Sequence, residues 1–540
     1  MASKITFVRE ATGLVREIST LDQILNNMNG VAALASIVFT SWWIWYAVPG
    51  GNALVACVIG FLCGIFGFLV AFAISNATFP RSAGPYVTTS RVFHPSIGWP
   101  FDMLQWFCIA SGLALNPSFM ITWGLEPGLY SMGVSSGNQW LINAANSLGN
   151  PWWALLCVGI PYILFSFLLA ISGTRRLVRT FQLPATILSM IGVVVIAAIW
   201  ATTNQAQMAA AITKYLGSDY GSVMTYANAN YPSFMGPPNY ALFTMLAAIG
   251  FTAGSFNTYN GSWSCGELRN ANNIKTQILT LLLPSAICFV SVFAVIAIAQ
   301  ASVGSSILIA MTQILTNNPG FFPKAPAGWA GFYTMTMLPM IIADNTLVQF
   351  VIMVALVATV AIYFPVMWLI ISRQWFAWSF DRLIPSKFAE VSDRFHTPAW
   401  STFVNFIVVF VFIVIFTFYG QYLGFFTTAS WDAGLSMIAV VCLAVAFLPL
   451  RKNLWDASPA KKYMIGAVPI ATIVGLIGFF YNATAVAEFT FTPSLGFGLP
   501  STEFLLVIFI IPFVLYWVIR QIRIKQNIDF DAIFRTIPPE

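Results

Sequence analysis

All but Lys214 and Lys324 of the 24 Lys and Arg residues fall in alternate gaps between long apolar runs. The runs are roughly 20 residues each, enough at about 1.5 Å per residue to cross a hydrocarbon core of about 30 Å. The basic gaps are Lys4–Arg16, Arg81–Arg91, Arg175–Arg179, Arg269–Lys275, Arg373–Arg394, Arg451–Lys462 and Arg520–Arg535. Positive charge collects on the cytoplasmic side, so both termini are expected inside and the number of crossings is even. The reading is an all-α polytopic membrane protein in the cytoplasmic membrane. Solid runs such as Ala53–Ser75 exclude a β-barrel, whose strands alternate in short segments.

Twelve spans are expected, at about 29–48, 53–75, 99–124, 152–172, 183–203, 240–264, 276–300, 344–372, 399–419, 431–449, 464–485 and 501–520. The stretches 204–239 and 301–343 are read as external excursions with short surface helices, because one more crossing would place Arg373 to Arg394 outside. Most of the 19 Trp, including Trp42, Trp43, Trp45, Trp152, Trp153, Trp375 and Trp378, are expected to be interfacial anchors. The first 28 residues lack the apolar core of a cleavable signal, so the first span is expected to start insertion.

Function classes narrow quickly. The net charge of +6 is spread over seven loops, which fits topology and not nucleic-acid binding. The seven Cys lack metal-type spacing and read as small core residues. A membrane enzyme needs a catalytic constellation, yet the two His (His94 and His396) lie in loops beside prolines. A channel would show polar rings or a filter, and none is evident. Asp102, Asp344 and Asp432 sit near helix starts, where a carboxylate complements the dipole. The sixth span carries Gly250, Gly254 and Gly261 with Ser, Asn and Thr between them. That composition fits either a broken helix lining a site or a small-residue packing face.

Four stretches lie in an order met elsewhere. They are Phe7–Ser19, Pro80-Arg-Ser-Ala-Gly-Pro-Tyr-Val, Gly266-Glu-Leu-Arg-Asn-Ala, and Ser372–Phe388 followed by Thr397-Pro398-Ala399. The set resembles the amino acid–polyamine–organocation (APC) family of permeases, over about residues 7–480. The resemblance implies a LeuT-type fold of secondary transporters: five-helix inverted repeats at 29–203 and 240–449, helices eleven and twelve at 464–520, and cytoplasmic ends at 1–28 and 521–540. It also implies a midplane site where the unwound middles of helices one and six meet. Carried over, the break in helix six falls at Ser255, Phe256, Asn257, Thr258 and Tyr259, with Asn257 and Ala271 departing from the family's Gly and Pro. In helix one it falls within Ala33, Leu34, Ala35, Ser36 and Ile37, where no family glycine survives. Alternatively, Asn27, Asn29 and Gly30 mark a shifted break.

With no mid-membrane carboxylate beside the site, a cationic substrate is disfavoured and a neutral amino acid is expected, the alternative being another cargo on the same fold, such as a polyamine, nucleobase or inorganic ion. Phe256, Tyr259 and Trp106 are expected to offer its side chain an apolar, aromatic pocket. No cofactor is expected. The coupling ion is left open between Na⁺ and H⁺, as is antiport. Span five contains no Lys, and Thr359 has a hydroxyl able to ligate Na⁺, although such a Thr more often bonds its own i−4 carbonyl. Substrate and bilayer are the expected partners; oligomeric state is open.

Overall fold

The computed structural model describes residues 16, 18–48, 50–232, 242–326, 334–392, 397–420, 423–491 and 499–534. Most of the lead-in from Phe7, His396 and the last six residues lie outside these. Among the described residues, 11 helices are long and apolar enough to cross a membrane: Thr20–Ala47, Ala53–Thr78, Pro95–Ser136, Pro151–Ala170, Leu177–Thr202, Ile274–Val303, Thr346–Phe380, Ala399–Phe418, Ala429–Leu450, Ile470–Phe491 and Glu503–Lys525. Extended structure there is limited to a hairpin of Met464–Ile465 with Val468–Pro469. In lipid every backbone polar group must be satisfied within the protein, so an apolar run of this length becomes a helix. Side chains mark several starts: Ser19 and Asp22 form a capping box, and Asn52, Asn273 and Asn345 accept from the first turns of their helices.

The expected sixth span is not one of the 11 long helices. It consists of a 14-residue helix, Leu242–Ser255, a non-helical stretch, and a 3₁₀ segment, Asn260–Glu267. The first span starts at Thr20, earlier than expected, and is itself interrupted between Thr20–Asn29 and Ala33–Trp42. The eighth bends at Ile362, between Thr346–Ala361 and Tyr363–Phe380. The two excursions do form short helices, among them Gln205–Ala211, Tyr220–Asn230, Ser305–Asn317 and Thr334–Ala343. The expectation of surface placement is corrected for the last two: Ser305–Asn317 buries Ile307, Leu308 and the run from Ala310 to Leu315, and the apolar Thr334–Ala343 buries Thr334 to Ile341.

Helices one and six occupy the centre. A Cβ on Gly250 would lie 2.0 Å from Trp43 Nε1, and one on Gly254 would lie 1.9 Å from Phe39 Cε1. Both readings of the sixth span therefore hold: its helical part is a small-residue packing face, and it breaks just beyond. Among the Trp expected as interfacial anchors, Trp42, Trp43, Trp45 and Trp378 are instead buried inside the protein.

At the end that holds the basic loops, buried ion pairs tie the helices together. Arg373 Nε lies 2.7 Å from Glu267, and Arg91 grips Asp381 with two bonds of 2.6 and 2.7 Å. The expected place at a helix start is corrected for Asp102 and Asp432, which lie inside Pro95–Phe119 and Leu423–Phe447, while Asp344 does precede Thr346–Ala361. Asp102 is held by two indoles, Asp432 accepts from Thr490, and Asp344 pairs with Lys214. For Asp344, partial burial acts to raise the carboxyl pKa, but the hydrogen bonds from Lys214 and Tyr215 outweigh it and hold the group below its ordinary value.

Candidate substrate-binding site

The first helix ends at Gly30, and Ala32 takes φ 54° and ψ 118° before the chain re-enters a helix at Ala33. No side chain caps that new start. The N–H groups of Ala33, Leu34 and Ala35 thus have no intrahelical partner and stand at the positive end of a helix dipole. Opposite, Leu242–Ser255 ends and Phe256–Tyr259 runs without regular bonding into the 3₁₀ segment.

Side-chain amides stitch the two breaks together. Asn27 Oδ1 accepts from the Gly261 N–H at 2.7 Å, and Gln23 Nε2 donates to the Gly261 carbonyl at 2.6 Å. Asn260 Nδ2 donates to the Gly30 carbonyl at 3.1 Å, and the Tyr363 hydroxyl donates to the Val31 carbonyl at 2.5 Å. Backbone groups freed by the break are satisfied in this way inside the protein. The approach is close: a Cβ on Gly30 would lie 2.2 Å from Asn260 Nδ2.

Between the breaks and helices three, eight and ten lies a cavity of about 190 Å³. That is room for one small molecule. Helix one contributes Gly30, Val31, Ala35 and Phe39, and the sixth segment Gly254, Asn257, Tyr259 and Asn260. Helix three supplies Cys108 to Trp123 along one face, helix eight Tyr363 and Met367, and helix ten Ser430 to Ile438. Among the lining residues described there is no Asp, Glu, Lys, Arg or His. Phe39 and Trp431 stack with centroids 5.6 Å apart toward the Trp42 end. The Tyr363–Val31 and Asn260–Gly30 bonds lie at the other.

Of the residues expected at the site, Ala35, Asn257 and Tyr259 line this cavity. Ala33 and Leu34 contribute helix-start N–H groups, while Ser36 and Ile37 lie further into the helix. The expected opening within Ala33–Ile37 is corrected: those residues are helical, and the break falls at Gly30–Ala32, as the Asn27, Asn29 and Gly30 alternative has it. The remaining side chains are engaged elsewhere. Trp106 donates to Asn405 at 2.7 Å, Thr258 donates to the Leu281 carbonyl at 2.6 Å, and Ser255 reaches the Ser36 carbonyl at 3.4 Å. Phe256 packs edge-on against Phe61 and Phe289. Thr359 donates to its i−4 carbonyl, Ala355, at 2.7 Å and meets Ser189 Oγ at 2.8 Å, the commoner use of a Thr in such a helix.

The sequence reading missed Asn116, Asn260, Tyr363 and Trp431. A usable signal existed for helix one, where Gln23, Asn26, Asn27 and Asn29 stand together just before the apolar run, and all are buried. Buried amides need partners, and here all four hold backbone or side chains across helices, Asn26 by accepting from Gln182 at 3.4 Å.

No curated protein matches this sequence. The amino acid permease family matches residues 18–518. With the helical spans and the paired breaks, that match over nearly the whole chain identifies a membrane transporter, not an enzyme: the chain belongs to the amino acid permeases of the APC superfamily.

Proposed function

We propose that this permease moves a neutral, apolar amino acid across the cytoplasmic membrane by alternating access, and that the cavity between the two breaks is its binding site. The single observation that carries the reading is the uncapped helix start at Ala33–Ala35 facing a cavity without ionisable acid–base lining other than Cys and Tyr. Three aligned N–H groups and the dipole suit a carboxylate. The last carbonyls of Leu242–Ser255, freed by the break, suit the ammonium. Cys108, Ile109, Leu115, Met367, Leu435 and Ile438 leave the side chain an apolar wall. A net cationic cargo would find no carboxylate there, which favours an amino acid over a polyamine.

The interrupted Leu242–Glu267 segment serves, in this reading, as the twelfth crossing. Breaks in helices one and six then stand in corresponding positions of two inverted five-helix repeats, 29–203 and 240–449, with 464–520 appended. Both ends face the cytoplasm, on the side of the basic loops.

Purified protein in proteoliposomes, preloaded with unlabelled amino acid, tests this by counterflow of radiolabelled Ala, Val, Leu, Ile, Met and Phe beside Lys, Glu, putrescine and uracil. Exchange of one or more apolar amino acids is expected. Exchange confined to the charged compounds or to uracil would overturn the assignment.

A further inference from the structure

Asp102 is a fully buried carboxylate one to two turns into the third helix, outside the proposed binding site. Its Oδ1 accepts from Trp263 Nε1 at 3.2 Å and Gln374 Nε2 at 3.0 Å, and its Oδ2 accepts from Trp378 Nε1 at 2.7 Å. Gln374 also bonds the Asp102 carbonyl at 2.9 Å. These donors join three elements: helix three, the inner part of the broken sixth segment, and the second half of helix eight.

The charged groups around it are already matched to one another. Glu267, on the sixth segment, holds Arg373 of helix eight, and Asp381, just beyond helix eight, holds Arg91. Tyr86, on the Gly84–Val92 helix, donates to Asp381 at 2.5 Å. Tyr516 of the last helix faces Trp99, its ring 6.4 Å away. Cys265 donates toward the carbonyls of Phe79 and Arg81. The described partners of Asp102 are all neutral N–H groups.

The carboxylate also stands within reach of the cavity. Gln105, one turn along the same face of helix three, is fully buried. Its Oε1 is 3.5 Å from where a Cβ on Gly434 would lie, and Gly434 and Cys108 line the cavity. Tyr259 also lines the cavity, and both polar atoms of the Gln105 side chain are buried without a hydrogen-bond partner among the described residues. Gln105 thus places a polar side chain between the cavity lining and the helical turn that carries Asp102.

We propose that Asp102 is the proton acceptor that couples H⁺ movement to transport. This rests on the amino acid transport reading above. As an anion, Asp102 accepts all three N–H donors and clamps Trp263 of the sixth segment to helix eight. A proton arriving with substrate, carried by water admitted to the cavity, forms an O–H bond on the carboxylate. The protonated oxygen turns donor and becomes a weaker acceptor, so the bond it receives from an indole N–H weakens. The clamp loosens, the inner half of the sixth segment swings away, and substrate leaves. The O–H bond then breaks to cytoplasmic water, one proton is released, and the anion recloses the clamp. Without a cation beside it, a buried anion is costly, so a neutral loaded form and a hydrogen-bonded anionic form can both be reached.

Proteoliposomes with the potential clamped by valinomycin and equal potassium provide the test, using the six radiolabelled apolar amino acids named above. Wild type is expected to accumulate substrate when the outside is one pH unit more acidic, up to about tenfold for one proton per substrate. Asp102→Asn should lose that accumulation entirely yet keep counterflow within a few-fold of wild type, since exchange needs no net proton movement. Asp102→Glu should restore the response. Should the Asn variant not fold, wild type must still show substrate-induced proton uptake with a pH-indicator dye, and Asp102→Glu must shift its pH profile. Counterflow by wild type without any response to the gradient, or an undiminished response in Asp102→Asn, overturns the proposal alone. Absence of counterflow in wild type overturns the transport reading and this proposal with it.

Discussion

Gly30 has no room for a side chain. Its missing side chain lets the Asn260 amide reach the Gly30 carbonyl, and a methyl group would stand 2.2 Å from that nitrogen. Gly30→Ala should lower stability by about 1–3 kcal/mol, the usual range for overpacking, read as a lower thermal midpoint in detergent. Asn260→Ala in the same background should recover part of the loss; an unchanged midpoint for Gly30→Ala would mean that the breaks are not locked together. At this scale the sequence is informative about which residue types matter and poor about their partners. Asn27 and Gly30 stand out as polar or flexible in an apolar neighbourhood, but the carbonyl that Tyr363 caps lies 332 positions away. Trp106, Phe256 and Tyr259 looked alike as aromatic pocket formers. Only Tyr259 reaches the cavity, because the backbone turn at Phe256–Tyr259 aims successive side chains in different directions.

The two breaks differ in how visible they are along their own elements. In the sixth span, glycines and backbone-competing Ser, Asn and Thr concentrate where helix gives way, so local chemistry announces it. In the first, Val31-Ala32-Ala33 reads as good helix, and the break is imposed from outside by Asn260, Tyr363 and the Asn27 and Gln23 amides. The cost shows at Ala32, a non-glycine residue at φ 54°. Such a conformation costs about 1–3 kcal/mol, against roughly 0.5–1 kcal/mol for the entropy a glycine would lose. Ala32→Gly should therefore raise the thermal midpoint modestly, whereas Ala32→Val should lower it. Equal midpoints for the three proteins would contradict a strained turn at this position.

Across the whole molecule the charge pattern carried the most information. Helical class and most spans were legible because length and apolarity are local properties, and 11 long helices match expected runs. The distribution of Lys and Arg predicts orientation as well. With native Cys replaced, Ala206→Cys and Ser386→Cys should react with an impermeant maleimide from opposite sides of the membrane; labelling from the same side would break the twelve-crossing topology. The apolar character of Thr334–Ile341 was legible but its burial was not, because the elements that cover it, Ala33–Trp42 among them, are remote in sequence.

The central claim is that the cavity between the breaks holds the substrate. Ala35 is the position to probe, being 1% exposed, in the first turn of the uncapped half-helix, and on the cavity wall. Equilibrium binding of whichever apolar amino acid exchanges in counterflow should be measured on purified wild type and Ala35→Leu, with thermal midpoints taken on the same samples. A leucine side chain would fill the space that substrate needs without touching the stitched breaks. The account predicts that binding weakens by at least about tenfold, roughly 1.4 kcal/mol, while the midpoint stays within a few degrees of wild type. Wild-type affinity in a normally folded Ala35→Leu protein would contradict it.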